Sequence, residues 1–448
     1  MSVAKEVQTR LHQLNKALES GTYIQIRHML NGLTPAEIAR LIESMQPNAR
    51  LILWRLINTE ASGEVLQYLN EDIINQIVKG MDTDDLTAVL EKLDTDDLAD
   101  ILQTLPKTVT KQVLNSLDSL NRKRIEMVLN YPNDTAGGLM NTDTITVRPN
   151  ITLDVVQRYL RRYKEIPDMT DNILVINRKD QFVGILPLTK LLLNEPSMTV
   201  REAMITDVET IPANMHQNNV AQIFEQHALV SAPVVDENQV LLGRITIDDV
   251  VDVIREDAQH SIMSMAGLNE EEDVFAPILT ATRRRSVWLG INALTAFIAA
   301  AVMGLFSATI EKVVALAILS PIVASMGGIA GTQTLTLVIR GMALGQVGFA
   351  NARVLLRREV LIGMLNGTAW AMIIGSAAAL WWHDSVIGFI IAAAIVINLI
   401  MAAISGATLP LILKRLDIDP AISGGVILTT VTDVVGFASF LGLATLVY

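Results

Sequence analysis

The chain of 448 residues has no cysteine and only six histidines. The first absence removes both a disulfide framework and a thiolate metal site, and the two together leave a soft or borderline metal few preferred ligands. Met1 to Arg10 holds no apolar core segment, so no signal peptide is expected there. A nucleophile paired with a base, a His-rich metal site and a phosphate-cradling loop are all missing, which argues against an enzyme. Charge is unevenly scarce. Ser286 to Tyr448 carries six acids and seven Lys or Arg, while the part before it carries 41 acids and 28 Lys or Arg, near −13 net. So acidic a polar part argues against nucleic acid and suits cations. Between Pro420 and Tyr448 a single charge remains, Asp433. A carboxylate at the centre of a membrane helix costs roughly 2.5–3.5 kcal/mol on insertion scales, so it usually faces a polar cavity or a partner. We read Asp433 as part of an ion path; the alternative is an exposed face on an interfacial helix.

What is present falls into blocks. Residues 1–130 read as short amphipathic helices. Thr34-Pro35-Ala36-Glu37 is a capping box with proline at the first helical position, followed by Ile38, Leu41, Ile42 and Met45 at helical spacing. A later helix is repeated almost verbatim: Asp82-Thr83-Asp84-Asp85-Leu86 leads into Val89, Leu90 and Leu93, and Asp94-Thr95-Asp96-Asp97-Leu98 into Ile101, Leu102 and Leu105. One such helix cannot bury its apolar face alone, so a stacked superhelix is expected. Asp84, Asp85, Asp96 and Asp97 would sit at helix starts, where the macrodipole favours them, with or without a further role in binding cations.

From Tyr131 to Asp257 short strands alternate with helices. Asn172 to Ile176 and Phe182 to Leu186 are joined by a polar turn, as are Ala232 to Val235 and Leu241 to Ile245. A shift along the chain lays Val175 on Val234, Gly184 on Gly243 and Leu188 on Ile247, an internal duplication. The unit, ending in Gly243-Arg244-Ile245-Thr246-Ile247-Asp248-Asp249, resembles a tandem pair of cystathionine-β-synthase (CBS) domains. In members that hold adenine nucleotides a Thr or Ser and an Asp three residues on contact the ribose, a pattern matched by Thr246 and Asp249. Pro187 and Lys190 break it in the first copy. Thr246 also reads as a helix N-cap, and both roles can hold together. The following helix is expected to run on as a connector, with Ile247, Val250, Val251, Ile254, Ala258 and Ile262 on one apolar face and Asp248, Asp249, Asp252, Glu256 and Asp257 on the other. Gly267, the acidic run Glu270 to Asp273 and Arg283-Arg284-Arg285 follow.

Five blocks are long enough to cross a hydrocarbon core, which needs about 20 residues: Ser286 to Ile310, Val313 to Ile339, Val360 to Trp382, Ser385 to Leu413 and Pro420 to Tyr448. Arg283 to Arg285, Arg340, Arg353, Arg357, Arg358, Lys414 and Arg415 fall on one side; Glu311-Lys312 and His383-Asp384 fall on the other. The positive-inside rule then puts the polar part in the cytoplasm and the C-terminus outside, with Trp381 and Trp382 at the outer boundary. Small and polar residues form stripes: Pro321, Ser325, Gly328, Thr332 and Thr336 in the second block, Gly425, Thr429, Thr432, Asp433 and Gly436 in the fifth. Such stripes are helix-packing faces or the lining of a watery path. Asn292, Asn366 and Asn398 read as packing hydrogen bonds rather than ligands.

In this order the parts resemble the MgtE family of magnesium channels and transporters over essentially the full chain. The resemblance is carried by Tyr131-Pro132-Asn133-Asp134-Thr135-Ala136-Gly137-Gly138-Leu139-Met140, by Gly327-Gly328 to Gln333 with Arg340-Gly341, by Asp419-Pro420, and by Thr430-Val431-Thr432-Asp433. The family usually shows Gly-Gly-Asn where this chain has Gly327-Gly328-Ile329, and several members carry Asn at Thr332, so contacts of those asparagines do not transfer. The resemblance implies a multidomain integral membrane protein: an all-α superhelical N-domain (1–130), α/β tandem CBS domains (131–199 and 200–257), a connecting plug helix and linker (246–285) and a five-helix transmembrane domain (286–448). It further implies a lipid-embedded homodimer in a bacterial inner membrane, with a pore on its two-fold axis and Asp433 at the ion site. Ser325, Gly328, Thr332, Thr336, Gly425, Thr429 and Gly436 would line that pore. Mg²⁺ is then both cargo and inhibitor, the latter through the acids named above together with Asp419, and an adenine nucleotide is implied at the CBS pair. A membrane-anchored CBS sensor that conducts nothing and a broader Co²⁺, Ni²⁺ or Mn²⁺ transporter are the alternatives.

Overall fold

Thr34 opens its helix as the capping box requires: its N–H donates to Glu37 Oε2 at 3.0 Å, and Glu37 N–H donates to Thr34 Oγ1 at 3.3 Å. The computed structural model describes residues 23–448 apart from 91–92, 94, 164–165, 168, 269–272 and 417. The first ten residues, Asp94 of the repeat and Glu270 to Glu272 of the acidic run therefore lie outside the described residues. The described chain forms two units, one of residues up to 259 with 273–277, the other of 260–268 with 278–448.

In the first unit the short helices stack in two alternating rows. Pro35–Glu43 packs on Thr59–Gln67, which packs on Thr83–Leu90 and then Lys107–Ser116. Pro47–Trp54, Glu71–Val78, Thr95–Thr104 and Ser119–Val128 form the second row in the same way. Each helix of eight to ten residues is too short to be stable alone, and the shared core that holds them includes Ile38, Leu41, Ile42, Leu86, Leu90, Leu98 and Leu102. This is the stacked arrangement the repeat predicts.

The duplicated part forms two three-stranded sheets. In the first, β1 (Thr146–Val147) runs parallel to β2 (Asn172–Ile176), and β2 pairs antiparallel with β3 (Phe182–Pro187). In the second, β4 (Ile211–Pro212), β5 (Ser231–Val235) and β6 (Leu241–Thr246) repeat the pattern. Val175 faces Gly184 and Val234 faces Gly243, so the duplication extends to register. Both glycines are required by close approach: a Cβ at Gly184 would meet Ile205 O at 2.3 Å, and one at Gly243 would meet Asn141 O at 2.7 Å. The hairpins meet edge to edge through Phe182 N–H to Gln239 O and Leu241 N–H to Asp180 O.

The helix Ile247–Met265 continues from β6. Its expected single apolar face is corrected here. Val250 and Val253 are buried against the second sheet's core, whereas Val251, Ile254 and Ile262 are 54%, 50% and 70% exposed. The buried face is set by which side of the helix meets the sheet, and that face is one step away from the expected stripe.

Among the described residues, five helices are long and apolar enough to cross a membrane: Ile278–Gly304, Ala315–Ala343, Ala352–Trp382, Ser385–Arg415 and Pro420–Val447. The first starts before the expected Ser286 because Arg283–Arg285 are good helix formers and Pro277 sets its start. It also ends early, a short helix Ser307–Lys312 taking up the rest of the expected block. The fourth is the most buried and packs on the second, third and fifth.

Candidate functional site

The second and fifth spanning helices run antiparallel and touch through glycines. A Cβ at Gly331 would lie 2.9 Å from the Leu428 side chain, and one at Gly424 would lie 3.1 Å from Leu335. The small-residue stripes lie one residue further along each helix. Ser325, Thr332, Thr336 and Thr429 are exposed, and Gly328, Gly425 and Asp433 are half-buried. Among the described residues a Cβ at Gly328 or Gly425 would meet nothing within 4 Å, so these positions are not close-packing contacts. Thr332 and Thr429 bond back to the carbonyls of Gly328 and Gly425 at 2.8 and 2.9 Å, which keeps their hydroxyls on the helix surface.

Two members of the fifth-helix stripe do not belong to that face. Gly436 is buried, and a Cβ there would stand 2.8 Å from Asn398 Nδ2. It serves close packing on the fourth helix, which corrects its place among the lining residues. Thr432 is fully buried and bonds back to Leu428 O and Thr429 O. Asn398 is itself fully buried and donates from Nδ2 to Val323 O at 2.8 Å, the packing hydrogen bond expected of it. Asn292 and Asn366 are exposed.

Asp433 is different from all its neighbours. Among the described residues no hydrogen bond or ion pair reaches its carboxylate. It lies between the contacts of Gly436 with Val323 and of Leu428 with Gly331, level with Ser325 to Gly328 and midway along its helix. A half-buried carboxylate at that depth of a spanning helix usually faces a polar cavity or a partner.

The regulatory candidates divide. Asp84 and Asp85 lie exposed in the first turn of Thr83–Leu90. Asp97, Asp248, Asp249, Asp252 and Glu256 share one electrostatic neighbourhood between Thr95–Thr104 and the start of Ile247–Met265, with Asp100 and Glu71 added. Neither Asp100 nor Glu71 was identified from sequence, although Asp100 stands one helical turn after Asp97. Burial, then the Asp248 charge, pushes the Asp249 carboxyl up to about 7 against the hydrogen bonds from Thr246. Burial, then the Asp249 charge, likewise raises Asp100 to about 7; its own surface stays open to water despite the crowding around it, which softens the effect. Among the described residues no three His, Asp or Glu converge tightly enough to cage a metal ion. Mg²⁺ asks for less, since it keeps several waters and takes one or two carboxylates.

The remaining candidates are engaged locally. Asp96 is buried in its helix's first turn. Asp257 Oδ1 accepts from Asn218 Nδ2 at 3.0 Å. Asp419 caps the fifth spanning helix, accepting from Ala421 N–H at 2.8 Å, and its Oδ2 lies 2.7 Å from His260 Nε2. Thr246 donates from both N–H and Oγ1 to Asp249 Oδ2, at 3.3 and 3.0 Å, so the two candidate ribose contacts are paired with each other at the helix start.

Comparisons with known proteins agree along the chain. Residues 320–443 match the MgtE description "Divalent cation transporter", residues 33–134 the MgtE intracellular N domain, and residues 136–195 and 200–256 the CBS domain. The magnesium transporter MgtE of Thermus thermophilus is 30% identical over 439 residues, 97% of each chain. That of Bacillus subtilis is 30% identical over 332 residues, 74% of each. The crystal structure of the cytosolic domain of the Mg²⁺ channel MgtE in complex with ATP is similar with a TM-score of 0.51 and 30% identity, covering 54% of this chain and 99% of that one.

Proposed function

Because the chain belongs to the MgtE family of divalent cation transporters, we propose that it imports Mg²⁺ as a homodimer whose two Asp433 carboxylates face each other across an ion path. The observation that carries this reading is the unpartnered Asp433 on an exposed stripe at mid-helix. Mg²⁺ dehydrates reluctantly and usually keeps several waters, with one or two carboxylates as ligands. Two Asp433 carboxylates supply that number and offset two charges, while Ser325, Gly328, Thr332, Thr336, Gly425 and Thr429 leave room for the water shell. The placement of Arg340, Arg353, Arg357, Arg358, Lys414 and Arg415 at one end supports a cytoplasmic first unit and an outer C-terminus in a bacterial inner membrane.

Cytosolic Mg²⁺ acts in this reading as feedback inhibitor. Asp97, Asp100, Asp248, Asp249, Asp252, Glu256 and Glu71 repel one another when bare, and an ion between them holds the stacked helices against the connecting helix. An adenine nucleotide at Thr246 and Asp249 is supported by the ATP in the similar solved domain. The absence of cysteine gives a direct test. Single cysteines at Ser325, Thr332 and Thr429 are expected to react with a water-borne thiol reagent and to lose Mg²⁺ flux when modified. Unreactive positions, or flux indifferent to modification, would remove the stripe from the path.

A further inference from the structure

A second carboxylate lies within the membrane unit, away from the Asp433 stripe. Glu359, on the third spanning helix, is 4% exposed. Its Oε2 accepts from Thr334 Oγ1 at 3.2 Å, while Oε1 is buried with no hydrogen-bond partner. Glu359 and Thr334 line a cleft of about 210 Å³ between the second, third and fourth spanning helices, with Gln333, Asn366 and Arg358 at its polar edge. Among the described residues no ion pair joins Arg358 to Glu359, so a nearly buried carboxyl group rests on one hydroxyl. Such a group is costly unless a counter-charge or further donors meet it.

We propose that this cleft holds a divalent cation that keeps part of its water shell, with Glu359 as its charge partner. The donors are all oxygen: the Glu359 carboxylate, the Thr334 hydroxyl and the amide oxygens of Gln333 and Asn366. An all-oxygen set with one carboxylate suits a hard cation that retains waters. At about 30 Å³ per water the cleft has room for the ion and several of them. The site lies off the Asp433 path, because positions 333 and 334 turn the second helix's opposite face toward the third helix. The proposal rests on the reading of this chain as a carrier of divalent cations and adds a second station for the cargo, near the arginine-bearing helix ends.

The test is anomalous diffraction from full-length crystals grown with Mn²⁺. A peak is expected in the cleft within roughly 4–5 Å of the Glu359 carboxylate, a metal–water bond plus a hydrogen bond. The peak is expected to vanish in Glu359→Gln and in Thr334→Val, and to persist in Asp433→Asn. An empty cleft beside an occupied Asp433 site overturns this proposal and leaves the path reading intact, as does an Arg358 guanidinium turned in to pair with Glu359. A filled cleft with no ion at Asp433 supports the proposal and overturns the path reading. Ions at neither place overturn both.

Discussion

Arg50 offers the sharpest stability prediction in the polar unit. Its side chain is fully buried, and Asp273 is 7% exposed. Arg50 donates from Nη1 and Nη2 to Asp273 Oδ2 and Oδ1 at 2.5 and 2.8 Å, from Nε to Ile42 O at 3.0 Å and from Nη2 to Glu43 O at 3.1 Å. The pair fastens the segment just before the first spanning helix to the helical stack. Arg50→Met strips the charge partner from a buried carboxylate, which costs about 3–5 kcal/mol. For a domain of 150–250 residues that lowers the melting temperature by about 6–20 °C. Replacing both partners, Arg50→Met with Asp273→Leu, removes the stranded charge, so the double variant should recover most of the loss. The pH profile gives a second readout. Burial pushes the Asp273 carboxyl up, but the Arg50 hydrogen bond, the Phe275 N–H and the Arg50 charge outweigh it and hold it below the ordinary range. A lowered acid stabilises the fold fully above its unfolded value of about 3.9 and loses that contribution as pH falls through the folded value. Thermal unfolding of the soluble part should therefore show an acid slope in wild type that Arg50→Met lacks. A single-variant loss under about 1 kcal/mol, or a double variant no better than the single, would refute the reasoning.

Further outcomes follow from other contacts. Asp249 and Asp100, each raised to about 7, hold protons in the folded state that the unfolded chain releases, so their effect on stability worsens as pH rises toward that value. Millimolar Mg²⁺ should raise the melting temperature of the soluble part more at about pH 8 than at about pH 5.5, whereas equal gains would separate these acids from the ion. Gly327→Ala would put a Cβ 2.2 Å from Asn398 Nδ2; a loss of about 1–3 kcal/mol is expected in detergent unfolding, relieved by adding Asn398→Ala. Asp249→Asn and Thr246→Val should weaken ATP binding measured by calorimetry, and unchanged affinity would remove the pair from a nucleotide site.

Features set by local rules were legible before the structure. The Thr34 capping box, the repeated Asp-Leu helices and the hairpins Asn172 to Leu186 and Ala232 to Ile245 needed only periodicity and turn chemistry. The spanning helices followed from apolar length, though not their ends. Placing the third at Val360 left Glu359 just outside it, whereas the helix begins at Ala352 and buries that carboxylate. The two-residue strands β1 and β4 carry no pattern of their own and exist through parallel pairing with distant strands. Convergence was also illegible. Helix phase and stacking decide that Asp100 and Glu71 join the connecting helix's acids. Arg50 and Asp273 meet across 223 residues, and no local pattern pairs the two.

The central claim is that Asp433 carries the ion. It is tested most directly by Mg²⁺ flux into proteoliposomes holding wild-type protein or Asp433→Ala, each verified as a folded dimer. Flux is expected to disappear with the carboxylate while the soluble unit still responds to Mg²⁺. Undiminished flux through Asp433→Ala would contradict the account.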